Sequence, residues 1–183
     1  MGYTRAEMTE KQFYDWQTEG GTDDVMRFVD ALERADVLWC AIDGIAVNHW
    51  AADQMVTLDV DFVVAADSIE IAKNALHDAG FTSEQFEWSI NFKGSSKVSV
   101  QLTTEDSYRG FAERGVAADV HGILMRVASV EDTLTGKLRA DPKRRQSKRL
   151  KDLADIARLV ESHPDLWADL PADLQSEIDR PKF

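Results

Sequence analysis

The chain has 183 residues and a mass of 20.6 kDa, 44% apolar and 30% charged, a balance that gives one domain a core and excludes a disordered chain. Its 21 basic and 33 acidic side chains leave a net charge of −12, which excludes a protein that coats nucleic acid over its whole surface, since phosphate binding needs a positive footprint. The longest apolar runs, Val37 to Ile42 and Phe62 to Ala66, are far shorter than the ~20 residues that cross a bilayer, so no membrane span is expected.

In chain order, Thr9 with Gln12 reads as a capping box that opens a first helix ending by Gly20-Gly21. Thr22 caps a second, with Val25, Phe28, Val29 and Leu32 on one face. Val37 to Ile42 is a short buried strand that runs into Asp43-Gly44. Asp-Gly between apolar runs is a hairpin signal. The small Ala46, Ala51 and Ala52, and the crossover needed before the next strand, favour a strand, turn and helix instead. Leu58 to Val64 is that next strand, with Leu58, Val60 and Phe62 on one face and Asp59, Asp61 and Val63 on the other. Asp67-Ser68 opens a helix through Ile71, Ala72, Ala75 and Leu76 that ends at Gly80. Phe86 to Phe92 and Lys97 to Leu102, joined by Lys93-Gly94-Ser95-Ser96, read as an antiparallel hairpin.

Ile123 to Val127 adds a strand, and Ser129 with Asp132 caps a helix carrying Lys137. A last long helix from about Ser147 to Ser162 is stopped by Pro164. The alternation predicts an α/β (α+β) fold, a mixed β-sheet flanked by helices. We expect a single domain over 1–183, with the α/β core at 22–128 and a helical C-terminal part at 129–183. The polar start lacks a signal-peptide core, and Ala6 stands where N-myristoylation requires Ser or Thr. One cysteine, Cys40, cannot form an internal disulfide, which fits a cytoplasmic setting, and its apolar strand makes it a core residue.

The chemistry concentrates in Thr57-Leu58-Asp59-Val60-Asp61-Phe62. Two aspartates at i and i+2 on a strand share a face with α-carbons ~7 Å apart, close enough to converge on Mg²⁺ while the apolar residues between them anchor the strand. On the last helix, with Leu150 at zero and ~100° per residue, Leu159, Ile156, Val160, Leu153 and Ala157 define a buried arc from about 180° to 340°. Asp152, at about 200°, falls inside it, and Asp155, at about 140°, outside. A buried carboxylate needs a partner, and Lys137 is one candidate, for a structural ion pair or a catalytic one. Residues 143–151 hold six cations, so the remaining chain carries −18; that segment is either a solvated helix face or a phosphate-binding patch. His49, His77, His121 and His163 are 28, 44 and 42 positions apart and offer no zinc-ligand spacing. The five tryptophans are scattered and read as packing residues.

Taken together, Gly44 on a turn before a helix, the Asp59/Asp61 strand, Lys137 within Glu131 to Leu138, and Asp152 within Lys151 to Ile156 resemble the nucleotidyltransferase fold of the DNA polymerase β superfamily. Within it they resemble the small AbiEii-like abortive-infection toxins, over residues 22–162. The resemblance implies transfer of a nucleoside monophosphate from an NTP to a hydroxyl acceptor. Asp59 and Asp61 would bind one or two Mg²⁺ ions and the phosphates, Lys137 would contact phosphate or assist proton transfer, and Asp152 would complete the acidic cluster. Gly44, Asn48, Thr57 and Lys148 are the expected nucleotide contacts.

Two departures stand out. Asp43 precedes Gly44 where the fold usually has Gly-Gly or Gly-Ser, and Gln101 occupies a strand face where many relatives carry a third carboxylate. The expected acceptor is RNA, a tRNA end, drawn by Lys143 to Lys151, with a protein antitoxin or toxin as partner. The alternative is a catalytically inactive antitoxin, regulator or binding module on the same fold. A third reading is a transferase acting on a cationic small molecule such as an aminoglycoside.

Overall fold

Strands rich in β-branched and aromatic residues form the middle of a mixed sheet in the computed structural model, which describes residues 21–55, 57, 59–120, 122–139 and 145–178. The expected first helix with Thr9 and Gln12, and Lys143 and Arg144 of the basic segment, lie outside the described residues. The strands are β1 (Trp39–Ile42), β2 (Asp59–Val64), β3 (Thr82–Gln85), β4 (Ser89–Lys93), β5 (Ser99–Thr103), β6 (Val116–Val120) and β7 (Ile123–Val127). Their order across the sheet is β3-β4-β5-β2-β1-β7-β6. β1 runs antiparallel to β2 and parallel to β7, β2 runs parallel to β5, and the outer pairs are antiparallel.

The helices are α1 (Thr22–Arg34), α2 (Asp43–Trp50), α3 (Ile69–Asp78), the single turn α4 (Phe111–Arg114), α5 (Val130–Leu138), α6 (Gln146–Ser162) and α7 (Ala172–Glu177). None is long and apolar enough to cross a membrane among the described residues. The alternation of β2 sends Val60 and Phe62 into a core with Trp39, Leu102 and the α1 residues Val25, Phe28 and Leu32. Phe28 stacks on Phe62 at 4.9 Å, and Trp39 meets the same ring edge-on at 5.5 Å. On the opposite face, Val63 packs with the buried Cys40, Ile42 and Phe111. A third cluster joins α2 to the helical tail through Val47, Leu134, Ile156, Leu159 and Val160.

Helix α2 is the hub. Its consecutive residues Ile45, Ala46 and Val47 each enter a different one of these clusters, so most of its circumference is enclosed and only the side of His49 is exposed. Ser129 caps α5 by accepting the Asp132 N–H at 3.1 Å. The Asp43-Gly44 junction is the start of a helix and not a hairpin.

Several expected boundaries differ. Phe86 is not in a strand: its N–H donates to the Ser89 carbonyl at 2.8 Å, closing the turn between β3 and β4. The polar β3 lacks apolar alternation, and in β6 the alternation that buries Ala118 and Val120 is blurred by Ala117, which hides both from a periodicity reading. Ile71 is exposed, and α3 turns Ala72 and Leu76 inward instead.

Asp24 latches α1 to the β4–β5 loop. Its buried carboxylate accepts the Ser96 N–H at 2.7 Å and the Ser95 hydroxyl at 3.0 Å, and pairs with Arg27 at 2.6 Å. A Cβ on Gly94 would collide with this carboxylate at 2.5 Å, so only glycine fits there. Burial alone would raise the Asp24 pKa, but the Ser96 and Ser95 hydrogen bonds prevail and hold it below the usual carboxylate value. Its stabilisation is therefore present at neutral pH and lost as pH falls through that lowered value. Asp24→Ala should cost about 2–3 kcal/mol in urea unfolding at pH 7, with a smaller deficit near pH 3.

Candidate active site

At the end of β1 the chain turns through Asp43 at φ 51°, a left-handed conformation that few residues with a side chain adopt. Asp43 faces an open cleft of about 500 Å³. Asp61 lines the same cleft from β2, in register with Ile42 on β1 and with Gln101 on β5. Lys137 of α5 and Asp152 of α6 close the opposite wall, while Trp88, Glu105 and Arg139 stand at its exposed rim. Four elements distant in the chain thus deliver acids and one amine to a common space.

Lys137 is only 6% exposed, and three carboxylates surround its ammonium. Asp155 Oδ2 lies 2.8 Å from Nζ, off the ideal hydrogen-bond direction, Asp152 Oδ1 lies at 3.4 Å, and Asp43 pairs with it directly. Burial works against the charged amine, but Asp43 and Asp155 overcome it and raise the Lys137 pKa above the usual ammonium range. Lys137 is therefore a fixed positive charge at neutral pH. The second oxygen of Asp155 pairs with Arg158 at 2.9 Å, and Arg158 also donates to Asn48 Oδ1 at 2.7 Å. At the rim, Arg114 forks onto Asp132 with two bonds of 2.8 Å.

Asp61 has the reverse problem. Burial first, and then the charges of Asp43 and Asp59, push its pKa up to about 7, with Lys137 and Lys151 opposing. Tyr108, beside the cleft, is pushed up to about 12 by burial and by Asp43. The cleft holds hard carboxylate oxygens crowded enough to raise the proton affinity of Asp61, the environment that a divalent cation relieves. Among the described residues no three His, Cys, Asp or Glu side chains form a ready-made metal group, so phosphate oxygens and water would have to complete the shell. With that completion the donor set fits Mg²⁺.

The expected site residues fall into two groups. Asp61, Lys137 and Asp152 meet in the cleft. Asp59 is exposed further along the same face of β2 and does not line the cleft, although its charge acts on Asp61. Gly44 and Thr57 touch each other: a Cβ on Gly44 would lie 2.6 Å from the Thr57 hydroxyl, so this glycine makes room for Thr57. Asn48 is buried and clasps the loop after α2, donating to the Met55 carbonyl at 2.6 Å and accepting its N–H at 3.0 Å. Lys148 is exposed on the first turns of α6, outside the cleft lining.

Asp155 corrects the helical-wheel reading, since it is 1% exposed while Leu150, the reference of that wheel, is exposed. Helix α6 packs from Asp152 onward, so the buried arc is rotated toward its acids. A wheel centred on Leu159 and Ile156 would have included Asp155. Asp43 stood in the sequence as an obstacle, and the structure makes it part of the cluster. His49 lies on the exposed side of α2 against Trp50, with its pKa lowered by burial.

Residues 46–178 match the sequence profile of the family described as nucleotidyl transferase AbiEii toxin, type IV TA system. No curated protein matches the chain by sequence. Among solved structures, ANT(2″)-Ia in complex with adenylyl-2″-tobramycin is similar with a TM-score of 0.59 at 11% identity, covering 85% of this chain and 97% of that chain. The lincomycin-bound lincosamide antibiotic adenylyltransferase LnuA gives 0.53 at 13%, covering 75% and 97%. An antigenic nucleotidyltransferase-like protein from Paracoccidioides brasiliensis gives 0.51 at 16%, covering 87% and 94%. These likenesses show a nucleotidyltransferase fold.

Two measurements probe the cluster. Lys137→Met leaves three acids facing one another and should cost about 3–5 kcal/mol in urea unfolding; adding Asp155→Asn should recover part of that loss. The folded Asp61 pKa of about 7 lies above the ordinary aspartate value of 3.8, so the stability it contributes is complete below the lower value and lost as pH rises through the upper. The melting-temperature advantage of Asp61→Asn over wild type, in metal-free buffer, should therefore grow from pH 4 to pH 7 and stay level above.

Proposed function

The chain belongs to the AbiEii nucleotidyltransferase toxin family, and we propose that it transfers a nucleoside monophosphate from an NTP to a hydroxyl of an RNA acceptor, with Mg²⁺, as the toxin of a toxin–antitoxin pair in the cytoplasm. The observation that carries this reading is the meeting of Asp43, Asp61, Lys137 and Asp152 in one open cleft. Asp61, with Asp59 beside it on β2, would hold the Mg²⁺. When bound, the ion supplies charge neutralisation on the triphosphate and aligns it for in-line attack.

The chain's own residues do the rest. Lys137 keeps its proton and presents a fixed positive charge to phosphate, with Asp152 and Asp155 holding it in place. Gln101, beside Asp61, can orient an incoming hydroxyl by hydrogen bonding but has no basic oxygen to take its proton. That proton passes to a carboxylate of the cluster. The described cations Arg145, Lys148, Arg149 and Lys151 occupy the first two turns of α6 and its edge, and the charge of Lys151 reaches Asp61. They give an anionic acceptor an approach to a cleft whose charged lining residues are mostly acids.

That acidic lining favours a second reading, a cationic small-molecule acceptor, and the neighbour holding an adenylylated tobramycin shows that the fold accommodates one. Incubation with labelled NTPs, Mg²⁺ and total RNA, with and without tobramycin, decides between them. Wild type should label RNA, and Asp61→Ala should lower the rate by about 100-fold or more. Label on tobramycin alone supports the second reading. Saturable NTP binding with no transfer to either acceptor identifies a catalytically silent member of the family.

A further inference from the structure

We propose that Trp88 is the stacking platform for the nucleobase next to the accepting hydroxyl of the RNA, an inference that rests on the transferase reading above. The first observation is exposure. Trp88 lines the catalytic cleft yet is 58% exposed. Trp39 and Trp50 behave differently: their indole N–H groups donate to Glu33 at 2.7 Å and to the Ala128 carbonyl at 2.9 Å, and both rings pack within the fold. Among the described residues, the Trp88 ring has no aromatic neighbour and its N–H no acceptor. A large ring left half in water at the edge of a reactive cleft is suited to a flat partner.

The second observation is rigidity. The Trp88 carbonyl accepts the Thr104 N–H at 2.9 Å and the Thr103 hydroxyl at 3.3 Å, and the Phe86 to Ser89 bond closes its turn. The ring is exposed, but its backbone is pinned to β5. Binding on such a platform orders little chain, so stacking energy is not lost to loop closure.

The third observation is position. Across the sheet, the cleft reads from Trp88, just before β4, to Gln101 on β5, Asp61 on β2 and Asp43 after β1. In-line displacement puts the attacking oxygen and the leaving pyrophosphate on opposite sides of the reacting phosphorus. With that phosphorus at Asp61 and the pyrophosphate on the Asp43 and Lys137 side, the hydroxyl arrives across Gln101, from the side where Trp88 stands. From β2 to β4 is two strand spacings, ~10 Å, and Trp88 stands three residues further along the sheet than Gln101, another ~10 Å, a diagonal of ~14 Å that the metal-bound phosphate, the ribose and its stacked base span. Arg139, also on the rim, supplies a cation for the phosphate of the same nucleotide.

The test uses the full chain without NTP and a short 5′-labelled single-stranded ribo-oligonucleotide, with a second copy lacking the 3′-terminal base. By fluorescence anisotropy, wild type should bind the intact oligonucleotide about tenfold more tightly than the abasic one. Trp88→Ala should bind the two alike, and Trp88→Phe should restore most of the preference. The melting temperature of each variant reports that the fold is retained. A preference that survives Trp88→Ala, or wild type that does not distinguish or bind the oligonucleotides, overturns the proposal. So does a loss of NTP affinity in Trp88→Ala, which would assign the ring to the other substrate. Failure of the transferase reading is seen separately, as absence of label transfer by wild type.

Discussion

A buried ammonium holds this molecule together. Lys137 could not stay charged in its enclosed position without Asp43, Asp152 and Asp155, and those three acids could not face one another without it. The interaction joins the turn after β1 to α5 and α6, so the sheet and the helical tail are tied at the candidate site itself. Apolar packing through α2 supports the same junction from behind. Scaffold and candidate site therefore share one set of contacts, and the sheet wall that carries Asp61 is tied to the opposite wall by an ion cluster.

The electrostatics of the cleft follow from that arrangement. Four carboxylates, Asp43, Asp61, Asp152 and Asp155, meet two cations, Lys137 and Arg158. The cations pair with the acids nearest them, and Asp61 is left with more negative than positive influence from its neighbours. Burial first, and then that imbalance, raise the proton affinity of Asp61, and a hard cation with an anionic ligand would complement such a site.

Much of this was legible in the amino-acid sequence. The period-two alternation around Asp59 and Asp61 placed both acids on one face of a strand, and Ser129 with Asp132 marked the start of the helix that carries Lys137. Strand β3 was hidden because its polar side chains carry no apolar period, and β6 because the alternation that buries Ala118 and Val120 is blurred by the small Ala117. Asp155 was hidden because α6 extends past the core, so its first leucine, Leu150, marks the solvent side and not the buried one. Gly44, Thr57 and Asn48 show another limit: residues at the motif positions are engaged in close packing and loop clasping, which only the tertiary structure displays. Trp88 carried no periodic signal at all, since its place is a two-residue turn whose exposure depends on what lies across the cleft.

The parallel pairings of β1 with β7 and of β2 with β5 have a bearing on how the protein comes into being. Each joins segments that are far apart in the chain, and Lys137 reaches back 94 positions to Asp43. Such non-local partners close late in folding. During synthesis, the wall formed by Asp152 and Asp155 leaves the ribosome last of all the reactive parts, so a nascent chain has no assembled centre until α6 emerges. Assembly of the ion cluster is thereby coupled to the synthesis of α6, and a chain stopped before that helix lacks two of the three acids that hold Lys137.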